Sequence, residues 1–127
     1  MIQEDYCSYE VSKLLKEKGF DEPCLQMWEC GPDTKYLFRL QSSCYQNITE
    51  EDSCLAPTYQ MAIKWLREKS IECVIIPIWN TIGKQYRSYV LSDLDNKYKD
   101  NCDSYSDHIS YEEAVEASIK YALENLI

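Results

Sequence analysis

The sequence predicts an α+β domain over residues 1–127, in the order αββαββα, with helices gathered on one face of an antiparallel sheet. Three observations carry that prediction. Apolar residues recur with helical period in three separated stretches, each opened by a residue able to cap a helix. Between them lie short runs rich in β-branched and aromatic residues, bounded by turn chemistry. The pattern of the first half also returns in the second. Lys13-Leu14-Leu15-Lys16-Glu17-Lys18 matches Lys64-Trp65-Leu66-Arg67-Glu68-Lys69 at an offset of 51 residues, and at that offset Phe20 meets Ile71, Trp28 meets Trp79 and Leu40 meets Leu91. Amphipathic helices resemble one another, which explains the first match better than the paired tryptophans. The echo points to a duplicated helix–strand–strand unit followed by a closing helix.

Residues 1–7 read as a loose lead-in. Ser8 caps the first helix, Val11, Leu14 and Leu15 form its apolar side, and Gly19 ends it. Asp21-Glu22-Pro23 is a turn into a strand over Cys24–Cys30, and Gly31-Pro32-Asp33 a turn into a second strand over Tyr36–Leu40. Gln41–Ser53 is polar and without period, hence loop.

The strongest helical pattern follows. Pro57 suits the start of a helix because its fixed φ and missing N–H cost nothing there. Thr58 supplies a hydroxyl to an orphan N–H of the first turn. Tyr59, Ala62, Ile63 and Leu66 make one stripe, which Met61 and Trp65 widen, so Trp65 and Leu66 are expected in the core. Cys73–Trp79 is the most apolar strand. Pro77 cannot donate to a ladder and so argues for an edge, a bulge or a strand end. Asn80-Thr81-Ile82-Gly83 turns the chain into a returning strand over Gln85–Leu91. Ser92–Asp107 is again polar, acidic and read as loop. Ser110-Tyr111-Glu112-Glu113 is a capping box, and Val115, Ile119, Ala122 and Leu126 form the stripe of the last helix.

Composition sets limits on function. An apolar content of 45% over 127 residues is enough for a core without metal or disulfide help. No apolar run approaches the ~20 residues of a membrane span, and Met1-Ile2-Gln3-Glu4-Asp5 lacks the plan of a signal peptide, so a cytoplasmic chain is expected. A net charge of −9 opposes direct binding to a phosphate backbone. Seven cysteines without export signal read as free thiols; none forms a C-x2-C or C-x4-C pair, and His108 is the only histidine, so neither a metal site nor a cofactor is expected. Asp93-Leu94-Asp95-Asn96 lacks the glycine of a calcium loop.

Ala56-Pro57-Thr58 leading into Trp65-Leu66-Arg67-Glu68-Lys69, the hairpin after it, and Ser110-Tyr111-Glu112-Glu113-Ala114 near the C-terminus resemble a family of small uncharacterised proteins encoded by phages and prophages of gut bacteria. The opening Leu15-Lys16-Glu17-Lys18-Gly19-Phe20-Asp21-Glu22-Pro23-Cys24 is similar as well, so the resemblance spans nearly the whole chain. It implies a setting and no mechanism, and it assigns no functional residue.

The expected function is a non-enzymatic module that binds a host or phage protein. Eleven tyrosines exceed the needs of a core, and Phe38, Tyr45, Tyr98 and Tyr105, in or beside the two polar segments, are the candidate anchors. Two alternatives follow from the same residues. The acidic chain would imitate nucleic acid if its carboxylates formed a dense face, but they are mixed with lysine and arginine. A hydrolase would use Cys54 as nucleophile near the start of the central helix and His108 as base.

Overall fold

The computed structural model describes residues 2–30, 34–44, 53–92 and 104–127. Each helix begins where a side-chain oxygen meets an orphan amide. Ser8 Oγ accepts from Val11 N at 3.2 Å to open α1 (Tyr9–Glu17), and Thr58 Oγ1 accepts from Met61 N at 3.2 Å to open α2 (Tyr59–Arg67). Ser110 Oγ accepts from Glu113 N at 3.1 Å to open α3 (Tyr111–Asn125). The strands are β1 (Cys24–Cys30), β2 (Lys35–Cys44), β3 (Cys54–Leu55), β4 (Ile71–Asn80), β5 (Gly83–Ser92) and β6 (Ser104–His108). The α+β class and the order helix, two strands, helix, two strands, helix are therefore observed, with β3 and β6 added to it. The backbone gathers into two compact units, residues 1–61 and 62–127.

In the first unit β1 lies between β2 and β3, antiparallel to both. The register shifts between Cys24↔Cys44 and Gln26↔Arg39, with the extra residues on β2. Helix α1 turns Val11, Ser12 and Leu15 inward and packs on β3, where Cys54, Leu55 and Ala56 are buried. Gly19, at φ 93°, releases the chain from α1 into a conformation that side chains disfavour, and Phe20 then turns back into the core. Leu15, Phe20 and Leu55 are fully enclosed, each contributing about 1.5–3 kcal/mol of burial.

The N-terminal lead-in is not loose. Tyr6 bridges to Thr58, Cys7 N donates to the Pro57 carbonyl at 2.9 Å, and Tyr59 N donates to the Asp5 carbonyl at 3.1 Å. The Cys7 carbonyl accepts two bonds, from Trp28 Nε1 at 2.9 Å and from Ser12 Oγ at 3.3 Å. The links from Asp5, Tyr6 and Cys7 to Pro57, Thr58 and Tyr59 join residues some fifty positions apart, which no local periodicity reveals.

In the second unit the order is β4-β5-β6, all antiparallel. Helix α3 packs on all three strands and buries Ala114, Val115, Ser118, Ile119, Ala122 and Leu123. The Ser118 hydroxyl donates to the Val115 carbonyl at 2.8 Å and hydrogen-bonds the Cys73 thiol, so two buried polar side chains satisfy each other. Trp65 and Leu66 of α2 are buried, as their helical phase predicts, and Lys69 Nζ lies 4.5 Å from the centre of the Trp65 ring.

The ends of the two polar segments depart from their reading as loops, while residues 45–52 and 93–103 lie outside the described residues. Gln41–Cys44 continue β2, and Ser104–Asp107 belong to β6. The sheet is likewise divided, three strands in each unit. The sequence reading missed β3 because two residues carry no period, and β6 because Ser-Tyr-Ser-Asp-His has no apolar alternation. Its alternation is polar: Ser106 and His108 share one face while Asp107 takes the other.

Candidate functional site

The continuous register of β4 with β5 sorts the second sheet into two faces. Asn80 pairs with Gly83 across only Thr81 and Ile82, and Asn80 Oδ1 accepts from Ile82 N at 2.9 Å and Gly83 N at 3.2 Å. Gly83 leaves the turn at φ 127°, a conformation open to glycine. Counting back from this closing pair, Ile71, Cys73, Ile75, Pro77 and Trp79 lie on one face, with Ser92, Val90, Ser88, Tyr86 and Lys84 opposite them. The register of β6 adds Ser106 and His108 to that face.

Helix α3 covers this face only in part. At one end Ile71, Cys73 and Val90 are buried beneath it. At the other, α3 begins, and its first residue, Tyr111, sets its ring edge-on to Tyr86 at 5.8 Å. Past that contact the face is open. Trp79 is 71% exposed, Ile82 at the turn 82%, and Ile109, just before the helix, 79%. Lys84 Nζ lies over both neighbouring rings, 5.5 Å from the centre of Trp79 and 5.2 Å from that of Tyr86. The result is an aromatic surface of Trp79, Tyr86 and Tyr111 with one cation over two of its rings.

Polar chemistry runs alongside. Ser88 Oγ and Ser106 Oγ are 3.1 Å apart, and Ser106 Oγ is 2.7 Å from His108 Nε2. A serine bonded to an imidazole nitrogen is the first half of an activated nucleophile. Among the described residues no side chain bonds the other ring nitrogen of His108 to orient it. On the opposite face Arg87 and Asp107 form a bidentate pair at 2.6 and 3.0 Å. The guanidinium holds the Asp107 carboxyl below its ordinary range, and the carboxylate raises Arg87 in turn.

The sequence-predicted residues fall elsewhere. Phe38 stands in β2 opposite Met27, and Tyr105 in β6 opposite Tyr89; their side chains lie outside the described residues, as do Tyr45 and Tyr98 entirely. Cys54 does not suit the role of nucleophile. It is buried in β3, and burial pushes its thiol up to about 11, against the smaller opposing effect of Lys16 and Lys13, so it stays protonated near neutrality. Cys73 is raised to about 11 by burial as well. Among the described residues no group of three or more His, Cys, Asp or Glu side chains is placed to hold a metal ion, and no helix is long and apolar enough to cross a membrane.

Sequence reasoning missed Trp79, although a signal was present. A tryptophan adjoining Asn80-Thr81-Ile82-Gly83 sits at a hairpin tip, where a helix of ordinary length need not reach. The aromatic surface is therefore defined by geometry alone: comparison with protein-family models, with curated proteins and with solved structures finds no match.

Proposed function

We propose that this chain is a non-enzymatic protein-binding module, in the phage or prophage setting its resemblance implies, and that it holds its partner through Trp79, Ile82, Tyr86, Ile109 and Tyr111. The observation that supports this reading is Trp79. A side chain of that size at 71% exposure, in a regular strand and with no hydrogen bond to its indole among the described residues, contributes little to the fold. Tryptophan and tyrosine are the residues most often responsible for interface affinity, since they bury large area at low entropic cost and keep a polar group for the partner. Tyr86 packs edge-on to Tyr111 and extends the patch. The net charge of −9 would steer a basic partner toward the chain.

Affinity capture from the native host with wild type and with Trp79→Ala tests this. The substitution should abolish capture of the partner while leaving the circular dichroism spectrum and unfolding midpoint unchanged. An unchanged set of captured proteins would remove this surface from the interface.

A further inference from the structure

We propose that the outer edge of β4 is a strand-addition site for an extended segment bearing arginine or lysine, which pairs antiparallel to Ile71–Asn80 and lays its cationic side chains over Trp79. This rests on the protein-binding reading above and adds the mode of binding and the chemistry of the partner.

The edge is defined by register. Asn80 and Gly83 are a hydrogen-bonded pair, because two residues separate them in a ladder without slips. Bonded and non-bonded pairs alternate from there, so Ile78, Ile76, Val74 and Glu72 direct their N–H and C=O groups at β5. Ile71, Cys73, Ile75, Pro77 and Trp79 direct theirs outward, and among the described residues no strand lies on that side. Pro77 thus occupies a position where its missing N–H removes no bond from the ladder. Long edges are usually blunted by charge, bulges or brevity. This one runs ten residues, with Glu72, its only charge, and Pro77 as its blunting features. Among the described residues, carbonyls at all five outward positions and N–H groups at four of them have no partner strand.

The chemistry of the occupant follows from what lies beside the edge. The outward set is also the set that shares a face with Trp79. Residues directly opposite one another in an antiparallel pair share a face. Partner residues bonded to β4 therefore present their side chains beside Trp79. The Trp79 and Tyr86 rings already hold a cation, the chain's own Lys84, at 5.5 and 5.2 Å. Trp79 remains 71% exposed around that contact, so a partner's cation can reach the ring in place of Lys84. The net charge of −9 favours a cationic strand over a second copy of this chain, which would carry the same charge.

The experiment uses the full, isotope-labelled chain and a synthetic peptide of alternating arginine and threonine. Expected are saturable binding, amide shifts concentrated at Cys73, Ile75 and Trp79, and no comparable binding of the glutamate–threonine peptide. Because the bonded residues are those over Trp79, N-methylation of the arginines should abolish binding, whereas N-methylation of the threonines should leave it. Trp79→Ala should weaken the peptide about tenfold through loss of the cation–π contact. Several results would overturn the proposal: no saturation up to about 1 mM, equal binding of the two N-methylated forms, shifts away from β4, or a concentration-dependent dimer that protects the same amides. If these arms fail while Trp79→Ala still abolishes partner capture, strand addition falls and the protein-binding reading stands. If Trp79→Ala leaves capture unchanged, that reading falls.

Discussion

Trp28 and Trp79 occupy matching positions in the sequence echo, each in the first strand of a hairpin, and their fates differ. Trp28 donates its indole N–H to the Cys7 carbonyl at 2.9 Å and stands edge-on to Tyr9 at 6.3 Å, with Lys35 Nζ 4.5 Å from the Tyr9 ring. Trp79 has the same kinds of neighbour, a tyrosine and a lysine, but its indole bonds nothing described and most of its surface is open. In the first unit the N-terminal segment supplies the carbonyl that tethers the ring. In the second, α3 starts at Tyr111 and stops short of it. Two tryptophans that read alike in sequence become one structural residue and one candidate for recognition, separated by whether a distant backbone carbonyl arrives.

The largest effects should come from the enclosed partners. Trp65→Ala should cost ~3–5 kcal/mol, the range for removing a buried large aromatic, since only 8% of Trp65 is exposed. Trp28→Ala should cost somewhat less, about 2–4 kcal/mol, from partial burial, one hydrogen bond and one aromatic pair. Urea unfolding measures both. A loss at Trp28 below about 1 kcal/mol would mean that the tether to Cys7 does not hold the first unit.

The two units can also be compared by their buried thiols, with an effect of intermediate size. Cys54 and Cys73 are both raised to about 11 by burial and should resist alkylation in the native protein near pH 8. Cys54 is held by a two-residue strand, whereas Cys73 lies in a ten-residue hairpin strand beneath α3. Local opening should therefore expose Cys54 faster, by about tenfold, in native-state alkylation followed by mass spectrometry. Equal rates would show that both become reactive only in global unfolding.

Smaller still are the caps and the exposed ion pair. Ser8→Ala and Ser110→Ala should each cost ~1 kcal/mol by orphaning a first-turn amide. Asp107 contributes through a carboxyl held down by Arg87. A group whose pKa is lower folded than unfolded stabilises above its unfolded value and loses that contribution as pH falls through the folded one. Asp107→Asn should therefore flatten part of the loss of stability below about pH 4 and leave first-unit thiol protection unchanged. Added salt should shrink the difference, because the pair is partly exposed.

Helix starts and apolar stripes were legible in the sequence because both are local. Ser8, Thr58 and Ser110 cap as their spacing predicts, and the Trp65–Leu66 phase is correct. Strand number was less legible: β3 is too short to carry a period, and β6 is recognisable only by its pairing with β5. The order of the lead-in is not legible locally because it comes from bonds to Pro57 and Tyr59, far along the chain. The candidate surface was least legible of all. Exposure of Trp79 depends on where α3 begins relative to β4, which is a fact of tertiary packing, whereas composition points to the tyrosines.

The smallest expected effect on stability separates the two tryptophans most cleanly. Trp79→Ala should change unfolding free energy by no more than about 0.5 kcal/mol, the usual range for a surface substitution away from buried groups. The matching optical test uses the three tryptophans of the chain. Iodide reaches exposed rings and not enclosed ones, and an exposed indole emits further to the red. Trp79→Phe should therefore remove most of the quenchable, red-shifted emission, whereas Trp28→Phe and Trp65→Phe should remove little of it. Lys84 matters here, since a cation over the ring attracts iodide; Lys84→Gln should reduce quenching of Trp79 without shifting its emission to the blue. If Trp79→Phe leaves the quenchable fraction intact, or Trp79→Ala costs as much as Trp28→Ala, then Trp79 is held by contacts of its own. The contrast between the two units would be lost, and with it the reason to place recognition at the open end of the second sheet.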